Sequence, residues 1–347
     1  MGPTELFARE PTYTIACETV DLCVDKYIAL MAEAWDTIPL NVPLDRSGAS
    51  GQFWQIGPCM VSIITVPPCI YETKRTHLEN RGPLIGLKKQ ISGFEYGDYV
   101  DGEYHCVPGP IQIGDPHSVG RGIGTAQVIQ EIYAPRPMLG LSPSSVTRSE
   151  KIYATSTIGK IIHAEWDLLL LTAQSGAAQI PKRTIERFLA AFMIALGVPP
   201  QREDVRTQAR ELLFRQIQRF INASLRTPDL DTNAILARFG LSRASLYRMF
   251  EPLGGIRSYI THLRASKALL EIWENRTVRG SVAAARERWH FQTGNDFNRT
   301  VTRVFGNSPR RLLSMDAPTR PHLGASASFA FEFIDMRYAG PGDLMPA

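Results

Sequence analysis

The sequence has no apolar run long enough to cross a membrane. Its densest apolar stretch is the four leucines at 168–171, whereas a membrane helix needs about 20 apolar residues. The N-terminus carries acidic residues early and lacks the basic-then-apolar layout of a secretion signal. These absences predict a cytoplasmic protein that does not associate with a membrane.

Cysteine is also scarce. The chain contains five cysteines, and all of them fall in its first third. Their number is odd, and no pair has the short spacing of a zinc knuckle or a redox dithiol. The pattern predicts reduced thiols, with a redox-sensing pair as the alternative. The cysteines are Cys17, Cys23, Cys59, Cys69 and Cys106.

Lysine is nearly absent from one part of the chain that is nevertheless strongly basic. Residues 201–315 contain 20 Lys and Arg against 10 Asp and Glu, and 19 of the 20 cations are arginine. The whole chain carries only +4, so the rest of it is acidic by 6 charges. Arginine has the planar fork that suits phosphate groups and guanine edges. The concentration of arginine in this one segment favours a nucleic-acid partner over a basic domain that is only exposed to solvent.

The sequence pattern of residues 1–150 is typical of a β-rich domain. The stretches 59–66 (CMVSIITV) and 126–134 (AQVIQEIYA) are rich in β-branched residues. The stretch 108–116 (PGPIQIGDP) is typical of a short strand with alternating side chains, bounded on both sides by proline and glycine. Around 94–104, aromatic residues alternate with Gly and Asp, which predicts a hairpin with a tight turn at 101–102. Many short strands with regular turns predict a small barrel or sandwich.

The remainder of the chain is predicted to be helical. Residues 151–200 form a helical linker or dimerisation segment, whose wide apolar face could alternatively pack on its own barrel. A break at 197–200 (GVPP) precedes an all-α domain over 201–315. Residues 316–347 are rich in Pro, Gly, Ala and Ser and are expected to be a flexible tail with one short aromatic segment at 329–334.

Two helix pairs are predicted in the basic segment. The first helix runs from about Thr232 to Phe239, with Asp229 or Asp231 as its cap. Gly240 then supplies a tight turn, and Ser242 caps a second helix. Leu246, Met249 and Phe250 face inward. The outer face of the second helix carries Arg243, Ala244, Tyr247 and Arg248.

A similar arrangement recurs about fifty residues downstream. Ser281 is predicted to cap a helix through about Trp289, Phe291 fills the corner, and Thr293 opens another helix. A long amphipathic helix over 254–277 would join and space the two pairs. Tandem pairs inside the only strongly basic segment indicate DNA-reading helix-turn-helix units, rather than ordinary structural helix pairs. The inward residues of the last helix are Phe297, Val301 and Val304 or Phe305.

This region resembles the DNA-binding domain of the AraC/XylS family of transcription regulators. The likeness covers about residues 208–314 and includes both pairs and the connecting helix. The first half is more loosely similar to the family's cupin-like ligand-binding domain, with 108–116 as the strand that closes the barrel. The positions that carry the likeness are Ser242, Leu246, Arg248, Phe250, Tyr259, Arg264, Ala268, Trp289, Phe291, Phe297, Phe305, Gly306, Ser308 and Pro309.

The resemblance implies an α+β two-domain protein, with an N-terminal β-rich cupin-like barrel and a C-terminal all-α domain of two helix-turn-helix units. It implies a promoter-DNA-binding regulator, most often an activator, that responds to a small molecule or to dimerisation and works with RNA polymerase. Carried over by position, the base-reading residues are Arg243, Ala244, Tyr247, Arg248, Asn295, Asn298 and Arg299. The phosphate-contacting residues are Ser242, Thr293, Arg303 and Arg310.

The sequence departs from the family pattern mainly in the second pair. A small residue is usual where the helices cross, but Leu236 stands there in the first pair and Arg286 in the second. His290 stands where glycine is usual, and Ala285 replaces a larger apolar residue. A bulky charge cannot stay buried unpaired at a crossing. We therefore expect the second pair to contribute mostly phosphate contacts.

The N-terminal half could instead be a metal-dependent cupin-type enzyme. That activity needs clustered ligands, whereas His77, His105, His117 and His163 are scattered. No nucleophile or phosphate-loop pattern is present either, so no enzyme activity, metal or cofactor is predicted. The sensor hypothesis proposes an aromatic effector pocket, although the same aromatic residues could simply fill the barrel. They are Trp54, Tyr71, Phe94, Tyr96, Tyr99 and Tyr104.

Overall fold

The computed structural model describes residues 12–23, 28, 36–40, 47–73, 84–99, 102–114, 120–139, 151–197, 213–214 and 216–313. In these ranges the strands are β1 (Thr12–Cys23), β2 (Asp36–Pro39), β3 (Ser47–Ile56), β4 (Cys59–Val66), β5 (Cys69–Thr73), β6 (Leu84–Ser92), β7 (Glu95–Tyr99), β8 (Gly102–Cys106), β9 (Ile111–Gly114), β10 (Gly120–Gly124), β11 (Gln127–Pro135), β12 (Lys151–Ile152) and β13 (Gln179–Pro181).

The helices follow the strands along the chain, with only β13 between the first two. They are α1 (Thr157–Gln174), α2 (Lys182–Gly197), α3 (216–224), α4 (Thr232–Phe239), α5 (Arg243–Phe250), α6 (Ile256–Glu274), α7 (Ser281–Arg288), α8 (Gly294–Phe305) and α9 (Pro309–Leu313). Short 3-10 turns lie at Arg136–Leu139 and Glu251–Leu253. None of the described helices is both long and apolar enough to cross a membrane. The predicted tail at 316–347 lies outside the described residues, and so does the predicted break at 197–200 except for Gly197, the last residue of α2.

The strands form two antiparallel sheets. The large sheet has the order β12-β9-β6-β11-β4-β3-β1-β13, and the small sheet has the order β2-β5-β10-β7-β8. The predicted strands at 59–66 and 126–134 are confirmed as β4 and β11, and within 108–116 the structure forms β9 over Ile111–Gly114. The predicted hairpin is confirmed, since β7 pairs with β8, but Gly102 lies in β8 opposite Tyr99 rather than in the turn where it was predicted.

The predicted barrel is not formed by the described residues. The strand expected to close it, β9, pairs instead with β6 and β12 in the large sheet. The two sheets face each other through side chains, because Gln127 of β11 donates to Tyr71 Oη of β5 at 2.9 Å. Lys88 of β6 likewise contacts Glu95 of β7 at 2.7 Å. The β-rich region is therefore a pair of facing sheets.

The outer face of the large sheet is covered by α1 and α2. Val61, Leu87 and Ile132 lie on this face and belong to one apolar cluster with Trp166 of α1 and Phe188 of α2. The helix α1 begins where the Ser156 side chain accepts from Gly159 N, which satisfies one of its unpaired N-terminal amides. The buried sides of these two helices therefore pack on the chain's own β-rich region.

The small sheet packs on the helical C-terminal region. Its outer face contributes Ile38, Ile70, Tyr96 and Ile123 to the same apolar cluster as α6. Helix α6 is the centre of that region, since eleven of its nineteen residues are buried. The β-rich and helical regions therefore share a core at this contact.

Candidate nucleic-acid interface

The first helix pair has the geometry that its sequence predicts. Asp231 caps α4, with its carboxylate accepting from Ala234 N at 2.8 Å. Gly240 ends the helix in the left-handed region with φ 62°, which a residue without a Cβ adopts at little cost. Ser242 then caps α5 by accepting from Ser245 N at 3.2 Å. Gly240 therefore fixes the turn after α4, and Ser242 fixes the start of α5.

Helix α5 has a buried side and an exposed side. Leu246 and Phe250 are fully buried, and Met249 is half-buried. Tyr247 is 42% exposed, and the other predicted base-reading residues of this helix are also exposed. The Arg243 guanidinium donates to Asn233 Oδ1 of α4 at 3.0 Å. This contact holds the arginine at the surface, without a carboxylate partner among the described residues.

The second pair differs from prediction at its first helix. Ser281 is the first residue of α7 rather than its cap, because Gly280 occupies the cap position and makes no side-chain capping bond. Ala285 is fully buried in the apolar cluster around α6. Arg286 is only 30% exposed, and its guanidinium reaches Glu287 at 2.8 Å while its Nε has no partner. The sequence predicts that a charge at this helix crossing is unfavourable, and the contact with Glu287 relieves the burial of Arg286 only in part.

The turn of the second pair is strained at His290. This residue has φ 59°, and it is the one non-glycine residue with positive φ in the described part of the chain. A Cβ in this region costs about 1–2 kcal/mol. The ring partly offsets that cost, because its Nε2 lies 2.7 Å from the Arg226 carbonyl oxygen. The histidine therefore ties the turn to the loop before α4.

Helix α8 also separates a buried side from an exposed one. Thr293 caps it by accepting from Asp296 N at 3.0 Å, as predicted. Phe297, Val301 and Phe305 are buried, while Val304 is half-buried. The predicted base-reading residues Asn295, Asn298 and Arg299 and the predicted phosphate-contacting residues Arg303 and Arg310 are all exposed.

Helix α6 fixes the two pairs to one another. At its middle, Arg264 donates to the carbonyl oxygens of Leu225 and Thr227 at 3.1 and 3.0 Å, in the connection that leads into the first pair. Near its C-terminus, Glu271 accepts from Trp289 Nε1 at 2.9 Å and pairs with Arg288 at 2.7 Å. Both pairs are therefore held on one rigid element.

The structure does not bring together the four placed side chains of the predicted aromatic effector pocket. Trp54 packs in the cluster under α1 and α2, while Phe94 and Tyr96 pack against the helical region. Only Tyr71 points between the sheets, where Gln127 donates to it. Tyr99 lies in β7 and Tyr104 in β8, but their side chains lie outside the described atoms. The aromatic residues are split because each sheet is covered on both faces.

The space between the sheets is polar instead. Gln127 contacts Gln90 at 2.6 Å and Glu95 at 3.1 Å, and Lys88 pairs with Glu95. Three buried oxygens on these inner faces have no hydrogen-bond partner in the part of the chain that the structure describes. They are Thr37 Oγ1, Ser62 Oγ and Gln90 Oε1.

Sequence reasoning missed the polar contacts between the small sheet and α6. Lys267 of α6 binds Asp98 and lies 3.7 Å from Glu103 and 4.7 Å above the Tyr96 ring. Arg121 of β10 bridges Glu274 of α6 at 2.9 Å and Glu72 of β5 at 2.6 Å. These partners are far apart in sequence, so no local pattern could reveal them.

The histidines that the structure describes in the first half contact other protein groups. His105 Nε2 lies 3.0 Å from Asn222 Nδ2, and His163 Nε2 lies 3.1 Å from the Ile152 carbonyl oxygen. Burial lowers the pKa of both rings below its ordinary value. No group of three or more His, Cys, Asp or Glu side chains that could hold a metal occurs within the described ranges. His77 and His117 lie outside those ranges.

The described cysteines are thiols rather than disulfides. Cys59, Cys69 and Cys106 are buried, whereas Cys17 is exposed. Burial raises the pKa of the Cys59 thiol to about 12 and also raises that of Cys69. The Cys23 side chain lies outside the described atoms.

Neither a protein-family model nor a curated protein matches this chain. Among solved structures, it is similar to the AraC-like transcriptional activator CuxR, with 17% identity over 78% of this chain and 98% of that one, at a TM-score of 0.42. It is also similar to ToxT from Vibrio cholerae, with 9% identity over 86% of this chain and 98% of that one, at a TM-score of 0.27. Unsaturated-fatty-acid-bound ToxT gives 9% identity over 89% and 98% of the two chains, at a TM-score of 0.28.

Proposed function

We propose that this chain is a sequence-specific DNA-binding transcription regulator of the AraC/XylS type. One observation carries the proposal. Two capped helices, α5 and α8, each bury an apolar side and expose arginine, tyrosine or asparagine in the basic part of the chain. An α-helix fits the major groove, and two such helices held on one rigid element can enter successive groove segments.

The chemistry of the exposed side chains supports base reading by the first pair. Arg243 and Arg248 carry forks that can take guanine O6 and N7, and Ala244 can touch a thymine methyl group. Tyr247 can donate to a phosphate. Asn295 and Asn298 of the second pair have the geometry for adenine, but the strained turn at His290 supports a larger share of phosphate contacts there.

Binding of full-length protein to labelled duplex DNA at increasing salt tests this function. We expect the logarithm of the affinity to fall steeply and linearly with the logarithm of salt concentration. Arg248→Ala should weaken binding, because it removes a cation from the exposed side of α5. Arg187→Ala is the matched control, since Arg187 is an exposed cation on α2, remote in sequence from both pairs. Equal affinities for the two variants would refute the assignment of α5.

The effector site is proposed between the two sheets rather than among the aromatic residues. Unpaired polar atoms are costly when buried, and a small polar molecule could satisfy the oxygens of Thr37, Ser62 and Gln90. A thermal-shift screen of polar metabolites tests this. A true effector should raise the Tm of the wild type but raise that of Ser62→Ala less. Equal shifts in both proteins would place its site elsewhere.

A homodimer is proposed through α1. Ile161, Leu168 and Leu171 are exposed at 46%, 41% and 65%, and with Ala164 they follow a three- and four-residue spacing typical of a helix–helix seam. Leu168→Glu should convert a dimer to a monomer in light-scattering measurements, whereas Asp167→Glu at the neighbouring exposed position should not. An unchanged mass for Leu168→Glu would refute this interface. Promoter activation through RNA polymerase is the further step that the family resemblance implies.

A further inference from the structure

A basic cleft lies between α6 and α8. Its volume is about 530 Å³, and most of its lining is polar. Thr261 and Arg264 form the α6 wall, and Thr300 and Arg303 form the α8 wall. Arg299, Asp296, His290 and Phe291 complete the lining.

Protein groups neutralise only part of the positive charge of this cleft. Arg264 donates only to backbone carbonyl oxygens, and Arg303 has no ion pair within the described ranges. Arg299 reaches Asp296 at 3.5 Å, with its own side chain 81% exposed. Three guanidinium groups therefore share a concave surface with a single carboxylate. Such an arrangement favours an oxyanion, because arginine forms strong charge-assisted bonds to phosphate.

The cleft also lies on the side of α6 that is turned away from the small sheet. Tyr259, His262 and Lys267 contact the small sheet or its loops. With about 100° of rotation per residue, Thr261 and Arg264 point away from that contact. The cleft is bounded by α8, whose exposed side is a proposed groove-facing surface.

We propose that this cleft binds a backbone phosphate of the duplex, at a point that α6 and α8 grip together. The inference rests on the proposed DNA-binding function and adds α6 to the elements that contact the duplex. A phosphate bound here fixes the second pair on the backbone without reading sequence. This contact holds the second helix pair on the duplex, although its turn at His290 and its helix crossing at Arg286 depart from the usual pattern.

A matched pair of substitutions at Thr261 tests the site. Thr261→Asp introduces a carboxylate into the cleft, while Thr261→Asn adds a side chain of the same size without charge. We expect Thr261→Asp to weaken duplex binding about tenfold or more relative to Thr261→Asn, since a charge-assisted contact is lost. The slope of log affinity against log salt should also shrink by about one. The loss of affinity should be equal for DNA of the preferred sequence and DNA of scrambled sequence, because a phosphate contact does not read bases.

Three outcomes would overturn parts of the account in different ways. Equal affinities and salt slopes for the two variants would refute the phosphate site while leaving DNA binding intact. Stabilisation of the wild type by inorganic phosphate, but not of Thr261→Asp, together with equal DNA binding, would assign the cleft to a free anion and refute the duplex assignment. Failure of the wild type itself to bind any duplex would refute the proposed function as a whole.

Discussion

Removing the Lys267 charge should loosen the small sheet from α6. Lys267 is 15% exposed on its side chain, and it contacts two carboxylates and one aromatic ring of the sheet. We choose Lys267→Met because it keeps most of the apolar stem and removes only the ammonium group. The substitution therefore separates the charge from the packing of the stem.

The expected cost follows from these contacts. A hydrogen bond to a charged group contributes about 1.5–3 kcal/mol, and a cation over an aromatic face adds about 0.5–1 kcal/mol. Asp98 and Glu103 are 50% and 33% exposed, so water can partly replace the lysine and lower the net loss. The free energy of unfolding should fall by about 2 kcal/mol.

Urea unfolding of the full-length protein measures this difference. Arg257→Met is the matched control, because Arg257 is an exposed cation on the same helix. It should change the free energy of unfolding by less than about 0.5 kcal/mol. If Lys267→Met costs no more than this control, the contact does not stabilise the docked arrangement and the reasoning fails.

Three further predictions concern the turn, the pH response and the thiols. His290→Gly should be more stable than His290→Ala by about 1 kcal/mol, since only glycine relieves the left-handed strain; equal unfolding midpoints would contradict the strain. Because burial lowers the pKa of His105 in the folded protein, this ring should bind a proton in the unfolded chain at a pH where the folded protein keeps it neutral. The free energy of unfolding should then fall as pH drops below about 6.5, and less steeply in His105→Gln; parallel curves would exclude His105 as a source. Cys59 and Cys69 should resist alkylation at pH 8 until the protein unfolds, because burial raises both pKa values; rapid mass gain at either residue in native protein would contradict this.

The first helix pair was predictable because its signals are local. Asp231, Gly240 and Ser242 lie within a few residues of the helix ends that they define, so the sequence contains the cap and the turn directly. The second pair was predicted less well. Ser281 looks like a cap, but Gly280 takes that place in the structure, and a one-residue shift at a helix end has no strong sequence signal.

The arrangement of the sheets was not predictable from the strands. In β5, four of five residues are buried, because the small sheet is covered by the large sheet on one face and by α6 on the other. Alternation of apolar and polar residues therefore does not reveal which face is which. This is why Tyr71 and Tyr96, both aromatic and buried, were expected in one pocket but lie on different faces.

Selection of bound sequences from a random duplex library, with full-length wild type and Arg243→Ala in parallel, tests the central claim most directly. The account predicts a wild-type site that spans two neighbouring major-groove segments. Arg243→Ala should relax the preference at one position of that site and cost about 1–3 kcal/mol there. No enrichment with the wild type, or an identical preference for both proteins, would contradict the claim that the exposed side of α5 reads DNA.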